Sequence, residues 1–175
     1  MIRGVVEFVI GLGGNLGDPQ QAMAVAVRAL AVSGRVAAVS SLWRTRAVGP
    51  AQADYLNAAA LIEWPGPPRE LLDHCLELEG AAGRDRSGGD RWGPRTLDLD
   101  LLLARGVVCR GPTLELPHPR LHLRRFALEP AAEVAGSWVV PTIGRTVEEL
   151  AERSREAEPD AIVGVDPFEG RSGRS

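Results

Sequence analysis

The sequence predicts an α+β sandwich: a mostly antiparallel, ferredoxin-like sheet with helices packed on it. Three observations predict it. Two β-α-β runs succeed one another before Ala104. Apolar spacing switches between period two and helical period. Glycine and proline punctuate each switch. In order, Val5 to Leu12 is short, β-branched and closed by glycines, a strand. Asp18 then offers an N-cap and Pro19 a first helical position. Gln20 to Val32 carries a stripe of Met23, Val27 and Leu30, and Gly34 ends that helix. Arg35 to Val48 reads as one strand, broken by Gly49-Pro50. Tyr55 to Trp64 reads as the next, stopped by Pro65-Gly66-Pro67-Pro68. Leu71, Cys75, Leu78 and Ala82 give helical spacing over Arg69 to Ala82. Gly83 to Pro94 is a charged loop. Thr96 to Ala104 alternates as a strand, and Val107 to Cys109 is expected to return beside it as a hairpin. Arg124 to Val134 reads as a helix interrupted near Pro130, Trp138 to Val140 as a short strand and Val147 to Arg155 as a helix. Residues 1–167 form a single expected domain, and residues 168–175, rich in Gly, Ser and Arg, an expected disordered tail.

Composition narrows the chemistry. All 20 basic residues among the 175 are Arg. Without Lys there is no P-loop, no protein-kinase lysine and no Schiff base on a side-chain amine. Phosphate would have to be held by Arg, backbone N–H groups or metal. A net charge of −3 gives no general attraction to nucleic acid or anionic membrane. Cys75 and Cys109 are isolated, which points to a reducing compartment. No apolar run approaches the ~20 residues of a membrane span and no leader is visible, so a cytoplasmic protein is expected.

Asp98 and Asp100 carry the strongest chemical signal. In a strand they share a face ~6–7 Å apart, while Leu97, Leu99 and Leu101 point the other way. A solvated polar face is the plainer reading of the pair alone. Hard carboxylate donors beside phosphate also suit Mg²⁺, as one ion or as a bridged pair. Arg84, Arg86, Arg91 and Arg95 flank the pair, in a loop with Trp92, and Arg offers forked contacts to phosphate. Ser87-Gly88-Gly89 suits a flexible lid that could close over a nucleotide, although a mobile surface loop with self-balancing charges is the plainer reading of this stretch alone. Gly11 to Gly17 fails the dinucleotide fingerprint, because Leu16 stands where the third Gly belongs. It reads as a tight strand-to-helix turn that Asn15 orders. Tyr55 and Asn57 share a strand face that could take a flat heterocycle, with Phe126 as a second ring, although core and edge packing is the plainer reading of these residues alone. His74 falls away from the apolar stripe and reads as solvated.

Taken together, Arg91-Trp92-Gly93-Pro94-Arg95-Thr96-Leu97-Asp98-Leu99-Asp100 resembles the signature of the 6-hydroxymethyl-7,8-dihydropterin pyrophosphokinases of folate biosynthesis. Gly13-Gly14-Asn15-Leu16-Gly17, Trp43-Arg44-Thr45, Asp54-Tyr55-Leu56-Asn57-Ala58, Pro117-His118-Pro119-Arg120 and Arg124-Arg125-Phe126 resemble further family segments in order. The resemblance runs from about Val5 to Ile162. It implies transfer of the β,γ-diphosphate of ATP to the pterin hydroxymethyl oxygen, giving AMP, with two Mg²⁺ ions on Asp98 and Asp100. It implies Arg84 and Arg95 as catalytic phosphate holders beside those carboxylates. It places Glu79, Arg86, Trp92, Leu101, His118 and Arg124 on the nucleotide side. Tyr55 and Phe126 would stack the pterin, Asn57 would bond its edge, and Thr45, Val48 and Trp92 would line it. The general base stays open.

Four departures stand out. Gly14 replaces Ser, Arg46-Ala47 replaces a Pro-rich pair, Leu76 stands for Gln and Leu123 for Glu or Asn. The expected partners are small molecules, without nucleic acid or membrane, and the expected state is a monomer or weak dimer. A non-catalytic pterin- or nucleotide-binding subunit is the alternative. It would not need the carboxylate pair. A two-metal nuclease or nucleotidyl transferase would favour a basic surface, against the net charge.

Overall fold

A computed structural model describes residues 4–47, 52–83 and 94–169. The strands of the main sheet are β1 (Val6–Gly14), β2 (Arg35–Val39), β3 (Leu42–Thr45), β4 (Tyr55–Trp64), β5 (Asp98–Ala104) and β10 (Ile162–Asp166). Their order is β10-β3-β4-β1-β5, with β2 also on β4, and every pairing is antiparallel. Each β-α-β crossover skips a slot that a strand of the other half fills. This is the ferredoxin-like arrangement the sequence predicts.

Helices cover both faces. Helix α1 (Pro19–Ser33) and helix α2 (Pro68–Ala81) lie on one. There Phe8, Ile10 and Leu12 of β1, Ala60 and Ile62 of β4, and Leu99 and Leu101 of β5 meet Met23, Leu30, Leu71 and Cys75. Helix α3 (Arg125–Ala135) and helix α4 (Val147–Ala157) lie on the other, around Val9, Ala59, Leu102, Leu128, Ala131, Val147 and Ala151. Asp18 caps α1 by accepting the Gln21 N–H, and Thr146 with Glu149 forms a capping box on α4. Short pairs β6 (Cys109–Arg110) with β7 (Glu115–Leu116), and β8 (Val139–Val140) with β9 (Arg145–Thr146), stand apart.

Several expectations change. The strand expected over Arg35 to Val48 is two. At Ser40 the hydroxyl accepts the Ala59 N–H at 2.8 Å in place of a backbone group, and the strand is interrupted between Val39 and Leu42. Val107 makes one isolated bridge to Ala104, and Cys109 pairs with Leu116 instead of returning along β5. Helix α3 runs through Pro130 without interruption. One lost N–H bond there is outweighed by burial against β4 and α4. β10 was not foreseen, because its sequence, I-V-G-V-D, carries a glycine and its pairing is long-range. Phe168 is 4% exposed in the core, so ordered chain continues past the expected start of the tail. His74 is only partly solvated, with its side chain 24% exposed. Its ring stacks on Trp64 at 5.9 Å, and its Nε2 is buried without a hydrogen-bond partner among the described residues. No helix among the described residues is long and apolar enough to cross a membrane.

Candidate active site

Register brings the chemistry together. Across β5, β1, β4 and β3, Asp98 pairs Gly13, Gly13 pairs Asn57, and Asn57 pairs Trp43. In the next row Asp100 pairs Gly11, and Gly11 pairs Ala59. Cross-strand partners share a face, so both carboxylates and Asn57 rise from the side that carries α3 and α4. Between them lies a floor without side chains. A Cβ on Gly13 would stand 3.3 Å from Asn57 Oδ1, and one on Gly11 3.1 Å from Leu102 Cδ1. Both glycines belong to β1, which runs on through Gly14 into the stretch expected to be a turn, and they keep a trough open between Asn57 and Asp98.

Asn15 ties the trough's end. Its Oδ1 accepts the Arg95 N–H at 3.0 Å, and its own N–H donates to the Arg95 carbonyl at 2.9 Å. Its Nδ2 donates to Gln52 Oε1 and the Ala53 carbonyl. One amide thus links the run into β5 with the run into β4. Gly14 beside it admits no side chain, since a Cβ would lie 2.4 Å from the Thr96 carbonyl oxygen.

Two guanidiniums face the two carboxylates. Arg95 Nη1 donates to Asp98 Oδ2 at 2.7 Å. Arg124 Nη1 lies 3.5 Å from Asp100 Oδ2, and its Cζ sits 5.7 Å over the Phe126 ring. Burial lowers the Arg95 pKa, but the charge and hydrogen bond of Asp98, with Tyr55 and Asp100, together outweigh it and the net shift is upward. His118 moves the other way. Burial, then the Arg124 and Arg120 charges, push it down to about 4. Its Nδ1 accepts the Arg120 N–H, so the neutral ring carries its proton on Nε2 as a donor. Burial, with Glu79 and Asp100 nearby, pushes the Cys75 thiol up to about 12, which removes it as a nucleophile.

Asn57 and Thr45 are 6% and 4% exposed, and Asn57 Nδ2 donates to Thr45 Oγ1 at 2.8 Å. Tyr55 pairs Thr45 on the adjacent row, and Phe126 stands 39% exposed in the first turn of α3. Glu79, expected on the nucleotide side, lies on α2 against β5. It is 1% exposed beneath β5, and its Oε1 accepts the Leu99 N–H at 2.8 Å, so it supports the edge strand from the core side. Leu101 and His118 line a cavity of about 290 Å³ with Asp100, Leu72, Thr113 and Glu115. Arg69 of α2 donates to Thr113 Oγ1 at 2.7 Å and steadies that wall. Thr113 and Glu115 carry no sequence signal, because only the β6–β7 fold brings them to Asp100. Glu133 was also missed. Its carboxylate takes the Ser41 N–H and the Trp43 indole N–H, holding α3 on the sheet beside Asn57. Val48, Arg84, Arg86, Arg91, Trp92 and the expected lid at Ser87-Gly88-Gly89 lie outside the described residues.

Residues 9–136, more than half of the chain, match the family model described as 7,8-dihydro-6-hydroxymethylpterin-pyrophosphokinase. The chain belongs to that family. Among pyrophosphokinase relatives, a 2-amino-4-hydroxy-6-hydroxymethyldihydropteridine pyrophosphokinase of Synechocystis is 41% identical over 147 residues, 83% of this chain and 74% of its own. The protein of that name in Methylorubrum extorquens is 41% identical, covering 80% and 88%. The one in Bacillus subtilis is 42% identical, covering 71% and 75%. The fold is shared with Plasmodium falciparum HPPK-DHPS. One such structure, a triple mutant with SDX-DHP, has a TM-score of 0.68 at 12% identity and covers 93% of this chain. The chain spans about half the length of that protein, 50%.

Proposed function

We propose that the chain transfers the β,γ-diphosphate of ATP, its co-substrate, to the hydroxymethyl oxygen of 6-hydroxymethyl-7,8-dihydropterin, giving AMP and the pterin diphosphate. The observation that carries this reading is one trough with two different ends. Carboxylates and guanidiniums stand at Asp98, Asp100, Arg95 and Arg124, and an amide–hydroxyl pair stands at Asn57 and Thr45. A polyphosphate suits the first end and a flat polar heterocycle the second.

The donor set fits a divalent cation. Asp98 and Asp100 offer hard oxygens on one strand face, and no third carboxylate, His or Cys joins them among the described residues. Phosphate and water would complete the shell, as Mg²⁺ prefers. The two carboxylates would hold it, two ions by the resemblance, and it would neutralise phosphate charge when bound.

The chain's own groups do the rest. Arg95 is anchored through its backbone to Asn15, so its guanidinium is presented from a fixed base. It would bind phosphate oxygens, with Arg84 and Arg86 from the adjoining loop. Arg124 would meet the same phosphates from α3. Neutral His118 would donate through Nε2 at the mouth of the cavity, where the nucleoside would lie against Leu101. Asn57 has its N–H₂ turned to Thr45, which leaves Oδ1 to accept from pterin N–H groups. Tyr55, Phe126 and Trp92 would stack the ring, and Val48 would close its side. Rate would come from alignment of the oxygen with the β-phosphorus and from charge stabilisation. The reading includes a cytoplasmic monomer or weak dimer.

Purified protein with ATP, Mg²⁺ and the hydroxymethyl-dihydropterin should release AMP in step with pterin consumption. Release of ADP, or pterin binding without turnover, would sink the reading; the latter would favour the non-catalytic subunit.

A further inference from the structure

The C-terminal third holds a buried charge cluster that the reaction does not use. Glu129 of α3 is 2% exposed. Its Oε1 accepts Arg125 Nε at 3.0 Å and Arg155 Nε at 2.9 Å, and its Oε2 accepts Arg155 Nη2 at 2.8 Å. Arg125 Nη1 reaches further, donating to the Glu158 carbonyl at 2.5 Å and the Pro159 carbonyl at 3.0 Å. One guanidinium therefore joins the start of α3 to the turn after α4. That turn leads straight into the sheet. Ala161 bonds back to Glu158, Arg46 N–H donates to the Ala161 carbonyl, and Ile162 pairs Thr45.

Both ends of this path are site residues. Arg125 stands between Arg124, which faces Asp100, and Phe126. Thr45 holds Asn57. A buried ion cluster is a weak source of net stability, because desolvation offsets the attraction. Its forked geometry is a stronger source of fixed distance.

We propose that Arg125, Glu129 and Arg155 are positioning residues: they form a brace that sets the gap between Phe126 and the Thr45–Asn57 pair, and so set affinity for the pterin. The inference rests on the reading of that gap as the pterin site. Glu133 pins the later part of α3 to Ser41 and Trp43, but the first turn, which carries Phe126, would otherwise be held by apolar packing, which fixes distance less sharply than a three-acceptor fork.

Arg125→Lys tests it with the charge retained. An ammonium can stay beside Glu129 but cannot also span two carbonyls in fork geometry. The expected result is a pterin Kd and KM raised about tenfold, with kcat and the ATP KM within about twofold of wild type. Hydrogen exchange over residues 158–166 should quicken in parallel. Glu129→Gln should do the same, and if it fails to fold, Arg125→Lys and the half-exposed Arg155→Ala carry the test. Folded Arg125→Lys protein with unchanged pterin affinity would overturn the brace. So would equal losses for pterin and ATP, the mark of general loosening. Wild type is measured beside them by calorimetry with the pterin and an ATP analogue. Wild type that binds no pterin sinks the functional reading as well, whereas wild-type binding with indifferent variants sinks only the brace.

Discussion

The two faces of β1 differ in kind. Phe8, Ile10 and Leu12 point to α1 and α2 and are fully or almost fully buried. Val9, Gly11 and Gly13 point the other way, and only Val9 is packed into a core there. One strand thus gives an unbroken core on one face and a bare floor on half of the other. The site is where the sheet is left uncovered, and glycine keeps it so. Parity along the strand decides whether a substitution strikes stability or chemistry.

The largest break should come at the floor's edge. Asp98→Ala is expected to cut turnover by about a thousandfold or more with the fold retained, since it removes a charge-stabilising group from the phosphate end. Steady-state rates and circular dichroism check it, and activity within tenfold of wild type would refute the assignment of Asp98. On the opposite face, Ile10→Ala should cost about 2–5 kcal/mol in urea unfolding while substrate KM values in the folded fraction hold. Gly13→Ala should do the reverse. Its methyl meets Asn57 Oδ1, and pterin affinity should weaken about tenfold with little change in stability. Equal stability losses for the two would erase the distinction between the faces.

The smallest effect concerns protons. The His118 folded-state value near 4 lies below the ordinary histidine value of ~6.5. As pH falls through that window the unfolded chain takes the proton first, so stability declines until about pH 4 and this contribution then levels off. An imidazole NMR titration of the ligand-free protein should show a His118 midpoint near 4. A midpoint in the ordinary range would mean that burial and the Arg124 and Arg120 charges do not act on the ring.

What was legible in the sequence follows the range of each interaction. Asp98 and Asp100 could be placed on one face from local alternation alone, and Tyr55 with Asn57 likewise. The β-α-β halves were legible because their apolar spacing is local. β10 was not, since its partner Thr45 lies far back in the chain. The glycines of β1 are ambiguous in sequence, because G-x-G reports small residues without saying whether a turn or a smooth strand needs them. The Glu79 contact to the Leu99 N–H is invisible in the sequence, because the two residues lie twenty apart on different elements. Arg125 and Glu129 are four apart, a spacing any helix offers, but Arg155 and the Pro159 carbonyl join them only in three dimensions.

The central claim is that this trough moves two phosphorus atoms together. It is tested most directly with ATP labelled separately at its α-, β- and γ-phosphorus, in a reaction with Mg²⁺ and the hydroxymethyl-dihydropterin. The β and γ labels are expected in the pterin product and the α label in AMP alone. Transfer of the γ label without the β label, leaving ADP, would contradict it.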